Sequence, residues 1–588
     1  MTDSTPGTAP SPGDRDADER VSALDPDWTT VNASLRVLGV IHNVASATRL
    51  VDVLAALESD PRVQVFVTWT RSSIFSGGVA DFLSDLGFPD ISWTKARKTE
   101  FDLAVTTSLG GDLHELRAPI LRLPHGMGYN KYLARKPETG NRKPETGNRK
   151  PETGNAKPVF GLSPEWLMHE GRLIPSAIVL SHTEQRERLA RDCPEALPAA
   201  LVAGDPCYDR LVASVVQRRR YRRAFGVRGD QSLLVVSSTW GEKALFGRHP
   251  RLVSQLLGEL AADEYRVALV LHPNVWHDAG PGQVEAWTAS ARRSGLILVP
   301  PREGWRAALV AADAVIGDHG STSYYAAALG RPVLLDDGGR DAVAPDSPIA
   351  ALLRTAATLD PRRRAAPQLA TAHAVSAETT KIASQWVTSE PGRSLTLLRR
   401  AMYDLMRAPE PDFPPVLATV PVPPATEPEP TALWTIVEWG GAAREVSVRR
   451  FPAAVLERPS PDDQTGMLVV RDDERDARMA ALADVVCCPS SDLPCPEDEW
   501  AAEVLRDHPG AQVALAYAAD RVRLVSRWRE RAEITVRSAP HDLDPSLLAS
   551  VLAERVLTGT APERLADLSP LTITAGSTAR VAFTSAAT

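Results

Sequence analysis

The stretch from Ile316 to Leu335 reads IGDHGSTSYYAAALGRPVLL. It follows an apolar helical run ending in AALVAADAV, so a short strand is expected to end near Ile316. Asp318-His319-Gly320-Ser321-Thr322 then forms a tight loop, and a helix of small residues runs from Ser323 to Leu329. Gly330-Arg331-Pro332 stops that helix, and Val333-Leu334-Leu335 starts the next strand. A strand–loop–helix order turns free backbone N–H groups and the positive end of a helix dipole toward the loop, where a diphosphate is a natural guest. Gly320 permits close approach of the backbone. Ser321 and Thr322 suit either a helix cap or a phosphate oxygen. An ordinary strand–helix junction would carry the same pattern.

Other segments repeat the arrangement. Arg266–Leu271 reads as a buried parallel strand with His272-Pro273-Asn274 at its carboxyl end, and Val235–Val236 runs into Ser237-Ser238-Thr239-Trp240-Gly241. Ligands of open α/β sheets bind beyond the carboxyl ends of the strands. The first half shows the same alternation. Strands are expected at Leu35–Ile41, Val63–Thr68, Leu103–Thr106, Pro119–Leu123 and Ala177–Leu180. The first leads into His42-Asn43 and the helix Ala47–Leu57; the fourth leads into Pro124-His125-Gly126-Met127-Gly128-Tyr129-Asn130-Lys131. Strands alternating with helices argue for doubly wound parallel sheets. Two such halves are expected, separated at Gly204-Asp205-Pro206-Cys207-Tyr208-Asp209.

The order of four of these pieces resembles a known family. They are His125-Gly126, the Gly-x-Pro-x-x-Asp segment Gly204–Asp209, His272-Pro273, and the Asp-x-x-Ser…Gly-Arg-Pro block from Asp318 to Pro332. Over roughly residues 35–400 the chain resembles the CDP-glycerol glycerophosphotransferases of teichoic-acid synthesis, and more loosely the UDP-N-acetylglucosamine 2-epimerases. The resemblance implies a GT-B fold, with two Rossmann-like domains facing each other across a cleft. It makes His125 the base for an acceptor hydroxyl, and places His272, Ser321 and Thr322 on the donor diphosphate. Asn274, Asp318, His319 and Gly320 join that donor set by position. His42, Asn43, Asn130, Lys131 and Thr239 are expected along the cleft. The chain departs from the family at Met127–Lys131, where polyol-phosphate polymerases carry Thr-Pro-Leu-Lys, and at His319-Gly320.

The expected reaction moves a sugar or polyol phosphate from a nucleotide-diphosphate donor to a cell-envelope or secondary-metabolite acceptor. It needs a base near the acceptor and N–H or positive groups on the leaving phosphate. A neutral histidine accepts a proton near pH 7. No metal loop and no His/Cys/Asp cluster with ligand spacing stands out, so no metal and no cofactor beyond the donor are expected. Two alternatives stay open. One is a nucleotide-sugar 2-epimerase or hydrolase on the same fold, which needs carboxylates around the sugar. The other is a non-catalytic nucleotide-binding regulator.

At 588 residues one core is too few. The expected organisation is a disordered tail over 1–30, an acceptor-side domain over 31–205, a donor-side domain with its closing helix over 206–407, a Pro/Glu-rich linker over 408–430 and a smaller α/β accessory module over 431–588. A net charge of −8 argues against general nucleic-acid binding. Five scattered cysteines, Cys193, Cys207, Cys487, Cys488 and Cys495, suggest a reducing cytoplasm. No signal peptide or long apolar run is evident, which leaves peripheral association with the inner membrane face open. The accessory module, with strands near Trp434–Glu438, Met467–Val470, Val513–Ala516 and Val522–Val525, is a candidate protein-binding arm.

Arg135–Asn155 reads RKPETGN three times without a mismatch, and Ala156-Lys157-Pro158 begins a decayed copy. Nothing apolar is available for burial, so a solvated loop over 135–157 is expected. Its readings are neutral duplication in a tolerant loop, or a lid or acceptor-docking arm beside His125.

Overall fold

The computed structural model describes residues 31, 33–72, 78–108, 110–124, 126–132, 159–425, 430–441, 444–455, 466–528, 530–541 and 543–585. The N-terminal tail, the RKPETGN repeat and His125 lie outside the described residues.

The first sheet holds β1 (Leu35–Ile41), β2 (Val63–Trp69), β3 (Asp90–Ser92), β4 (Leu103–Thr106) and β5 (Ile120–Arg122). A two-strand hairpin, β6 (Met168–His169) and β7 (Arg172–Leu173), precedes its last members, β8 (Ala177–Leu180) and β9 (Ala200–Val202). The order is β3-β2-β1-β4-β5-β8-β9, with parallel pairing throughout. The second sheet holds β10 (Ser232–Ser238), β11 (Tyr265–Leu271), β12 (Ile297–Val299), β13 (Ala314–Gly317), β14 (Val333–Leu335) and β15 (Ala357–Thr358), in the order β12-β11-β10-β13-β14-β15. It too is parallel.

Strands covered on both faces read as continuous apolar runs. β4 is LAVT, buried at every position, and β10 is SLLVVSS, buried from its second residue on. Each sheet carries a core on either face. Both sheets reverse their winding beside a central strand, between β1 and β4 and between β10 and β13. Those reversals are where a doubly wound sheet opens a crevice.

Gly204–Asp209 clamps the two halves. Pro206 opens the helix Pro206–Ser214, which Asp205 caps by accepting from the N–H groups of Cys207 and Tyr208 at 2.9 and 3.1 Å. Asp209 accepts from Gly392 N at 2.8 Å and Ser394 N at 3.1 Å. It thereby fixes the start of the helix Ser394–Met406, whose Leu398, Met402 and Tyr403 are buried in the core of the first sheet. The chain thus returns from the second sheet to the first.

The C-terminal part departs from the expectation of a small α/β module. It is a closed barrel of nine strands: β16 (Ala432–Trp439), β17 (Glu445–Pro452), β18 (Met467–Arg471), β19 (Val485–Pro489), β20 (Val513–Tyr517), β21 (Arg521–Ser526), β22 (Arg531–Ser538), β23 (Leu571–Ala575) and β24 (Ser577–Ser585). The four expected strands are present as β16, β18, β20 and β21. The helix Pro545–Leu557 buries Leu547–Ala553 without a break and shares one core with the inward side chains of the barrel. A helix apolar on every side is one buried on every side. A second, outer core joins the strands to the helices Ala477–Leu482 and Glu497–Asp507. The strand pattern was hidden because the outer faces carry charge, as in RAEITVRS of β22, whose register to β24 also shifts at a bulge. Among the described residues no helix is long and apolar enough to cross a membrane.

Candidate functional site

β13 ends at Gly317 and the helix Ser321–Ala328 begins four residues later. The helix therefore starts two residues earlier than the sequence suggested, and Ser321 and Thr322 are its first residues rather than its caps. Gly320 takes the N-cap position, with no side-chain cap. A β-carbon there would lie 2.7 Å from the Thr239 methyl, so only glycine fits.

Asp318 holds the loop in shape. Its Oδ2 accepts from Thr239 N and Oγ1, both at 2.8 Å, and from Leu245 N at 3.0 Å; its Oδ1 accepts from Gly320 N at 3.1 Å. This carboxylate is 2 % exposed and both oxygens are engaged by the chain itself, which makes Asp318 and Thr239 the frame of the site. β10, β11 and β13 are neighbours, so Thr239, His272 and the 318–322 loop share one sheet edge. His272 caps the helix Pro273–Ala279: its Nδ1 accepts from Asn274 N at 3.1 Å, which assigns the ring proton to Nε2. The Oδ1 of Asn274 is buried without a hydrogen-bond partner among the described residues.

The first domain reaches this edge with its Gly126–Lys131 loop. Met127 N donates to Ser321 Oγ at 2.9 Å, and a β-carbon on Gly126 would stand 2.5 Å from the same oxygen. The Met127 side chain is fully buried in the core of the second domain. Lys131 bridges to Val343, while Ala344 N donates to Asn130 O at 2.8 Å. The Asn130 amide turns back to Met127 O and stiffens the loop. Asp318 acts on the charge of Lys131, and both act on that of His319. Burial lowers the Lys131 ammonium, against a raising pull from Asp318. Burial first and Lys131 second push the His319 imidazole down to about 4. His319 is thus neutral near pH 7, with Nδ1 buried and unpartnered among the described residues and its ring over Gly339.

His42 and Asn43 follow β1 on the facing edge. The Asn43 side chain accepts from Ser46 N at 2.9 Å, forming a capping box on the helix Val44–Leu54, while His42 Nε2 contacts Gly110 O. Asn43 is therefore engaged as a cap. The helix Val44–Leu54 packs on Pro273–Ala279. The His277 ring meets Gly78, and Arg302 pairs with Asp85, so the domains touch on this side as well.

Deeper in the interface lies a charge network that the sequence reading missed. Arg49 donates to Asp205 at 2.6 Å, and Tyr325 OH donates to the other oxygen of Asp205 at 2.6 Å. Asp52 accepts from Arg210 at 2.7 Å and pairs with Arg306. Desolvation pulls the Asp52 carboxyl up, but Arg306, Arg49 and Arg210 together hold it below its ordinary value. The available signal was Arg49 and Asp52 on an otherwise mostly apolar helix, VASATRLVDVL. Among the described residues no group of His, Cys, Asp and Glu could hold a metal ion.

Comparison with known proteins adds a likeness of fold. No protein-family model matches the chain, and no curated protein matches it. Among solved structures it is similar to the wall teichoic acid polymerase TagF, at 12 % identity over 64 % of this chain and 90 % of that one, with a TM-score of 0.42. It is also similar to MnaA of S. aureus in a co-structure with UDP, at 10 % identity over 64 % and 99 % of the two chains, with a TM-score of 0.37. A third is the UDP-GlcNAc 2-epimerase of Neisseria meningitidis bound to UDP-GlcNAc, at 11 % identity over 63 % and 100 %, with a TM-score of 0.38.

Proposed function

We propose that the chain transfers a sugar or polyol phosphate from a nucleotide-diphosphate donor to an acceptor hydroxyl of a cell-envelope or secondary-metabolite molecule. The observation that carries this reading is the start of the helix Ser321–Ala328, which has no side-chain cap, set against the Gly126–Lys131 loop of the opposite domain. Helix N–H groups, the Ser321 and Thr322 hydroxyls and the Nε2–H of His272 are the donors offered to the leaving phosphate. Lys131 adds charge at the same edge. His125, next in sequence to Gly126, takes the proton of the acceptor hydroxyl as the acceptor oxygen bonds to the transferred group and the bond to the nucleotide breaks. The leaving nucleotide departs with the electron pair of that bond.

Ser321 Oγ accepts from Met127 N in this arrangement. A phosphate seated on Ser321 therefore has to share or displace that bond, so donor binding is expected to shift the Gly126–Lys131 loop. The epimerase alternative needs a carboxylate facing the donor sugar. Asp318 is the carboxylate the sequence offered, and its oxygens are engaged by Thr239, Leu245 and Gly320. This favours transfer over epimerisation.

The test is a thermal-shift screen with CDP-, UDP-, GDP- and TDP-linked sugars and polyols, followed by a transfer assay with the best binder. Binding to the native state raises the melting temperature by mass action. No shift with any diphosphate, or a shift that Ser321→Ala and Thr322→Ala leave intact, would sink the donor site.

A further inference from the structure

His319 immediately precedes Gly320, the N-cap of the helix Ser321–Ala328, and is 5 % exposed. Its ring lies against Gly339, where a β-carbon would stand 1.9 Å from Nδ1. That nitrogen is buried without a hydrogen-bond partner among the described residues. Buried polar atoms are normally satisfied. Lys131 reaches the same place from the opposite domain, its backbone bridged to Val343. Asp318 acts on the Lys131 ammonium, but the two form no ion pair.

Three carboxylates act on the His319 ring, Asp318, Asp336 and Asp341. Each is already engaged. Asp318 accepts from Thr239, Leu245 and Gly320. Asp336 accepts from Arg248 at 2.6 Å, with His249 alongside. Asp341 pairs with Lys243. Asp337 and Arg340 of the same loop are exposed and opposite in sign. No spare negative charge therefore faces His319, and burial together with Lys131 keeps the ring neutral. An incoming anion would reverse that balance, because a nearby negative charge favours the imidazolium.

We propose that His319 is a proton-linked ligand of the donor: a diphosphate seated at Ser321 and Thr322 draws a proton from solvent onto the His319 ring. The imidazolium and Lys131 then hold the diphosphate together. This rests on the donor site proposed above and gives it a pH dependence. His319 is neutral in the free chain near pH 7 and protonated in the complex, so the complex binds more protons and acid favours it. His272 does not share this role, since its Nδ1 is taken by Asn274 N and it offers Nε2–H without a charge.

The test is calorimetry on the full chain with UDP-glucose and CDP-glycerol, whose diphosphates stay ionised throughout, in buffers of different ionisation enthalpy from about pH 6 to about pH 8. The tighter of the two should bind with net proton uptake, and about three- to tenfold more tightly at the acid end than at the alkaline end. His319→Asn should still bind but lose both the uptake and the pH dependence. His272→Asn should weaken binding and keep the uptake. Lys131→Met should weaken binding about tenfold at the alkaline end, as loss of a charged contact implies, and less at the acid end, where the His319 imidazolium remains. Binding without proton uptake, or uptake that survives in His319→Asn, overturns the inference and leaves the donor site standing. If His319→Asn does not fold, Lys131→Met decides, and an equal loss at both ends overturns it. If neither nucleotide ligand binds, the donor site itself falls, and this inference with it.

Discussion

Replacing Asp52 with alanine tests whether the two sheet domains act as one body. Asp52 is 1 % exposed and its partner Arg306 is 2 % exposed, with Arg210 on the other oxygen. Removing the carboxylate leaves the buried Arg306 with Glu303 alone and Arg210 with the Ala418 carbonyl. Breaking a buried pair in this way costs about 3–5 kcal/mol. The same interface supplies a control, the pair Arg302–Asp85, whose side chains are 38 % and 65 % exposed. Asp85→Ala should cost no more than about 1 kcal/mol. Urea titration followed by circular dichroism reads the difference, and hydrogen exchange over Val44–Leu54 locates it. The double variant Asp52→Leu/Arg306→Met should recover much of the loss, because it removes two charges rather than stranding them. The folded-state pKa of Asp52 lies below its ordinary value. Its contribution is therefore complete above the ordinary carboxylate range and lost only as pH falls through the lower, folded value. Equal, small effects of Asp52→Ala and Asp85→Ala at pH 7 would refute the reasoning, as would a double variant no better than the single one.

Three further outcomes are expected. His319, held near pKa 4, gains its proton in the unfolded chain well before the folded one. Stability should therefore fall as pH drops from about 6.5 toward 4, by at most about 3 kcal/mol, and His319→Asn should flatten that limb of the pH–stability curve. Ser321→Ala and Thr322→Ala should weaken donor affinity, whereas His125→Ala should lower turnover and spare affinity, because a base acts in the transition state; parallel calorimetry and turnover separate these, and equal loss of affinity in all three would reject the roles. Gly126→Ala forces a methyl to within 2.5 Å of Ser321 Oγ and should cost about 1–3 kcal/mol; adding Ser321→Gly should restore most of it, and a melting curve that ignores both changes would show that the loop does not seat there.

The parallel sheets were legible because burial on both faces leaves a strand with nothing but apolar residues, as in LRVLGVI of β1. The carboxyl-edge loops were legible for the complementary reason: polar residues stand where those runs stop. Individual roles were less so. Asn43 and Asp318 looked like ligand groups, yet both satisfy backbone N–H groups of their own loops, a demand that any sharp strand–helix turn makes. The barrel was half visible, since its inward residues keep a period of two while salt-bridged arginines and glutamates such as Arg523 and Glu533 cover the outside. The interdomain network could not be assembled from sequence at all. Arg49 finds Asp205, and Asp52 finds Arg306, 156 and 254 residues away, and only the closed arrangement of the domains joins them.

That arrangement ties the candidate chemistry to the charges beneath it. Tyr325 lies on the same helix that begins with Ser321, and its hydroxyl donates to Asp205, which is held by Arg49 of the opposite domain. The start of that helix is thus anchored one turn further on by a buried hydrogen bond across the interface, from Tyr325 to the Arg49–Asp205 ion pair. Any rotation of the domains that widened the cleft would have to part Arg49 from Tyr325 and Asp52 from Arg306, exposing charge at one end to admit charge at the other. On the proposed reading, a phosphate seated on Ser321 displaces the bond from Met127 N, while Met127 itself and the bond from Ala344 N to Asn130 O keep the Gly126–Lys131 loop tied to the second domain.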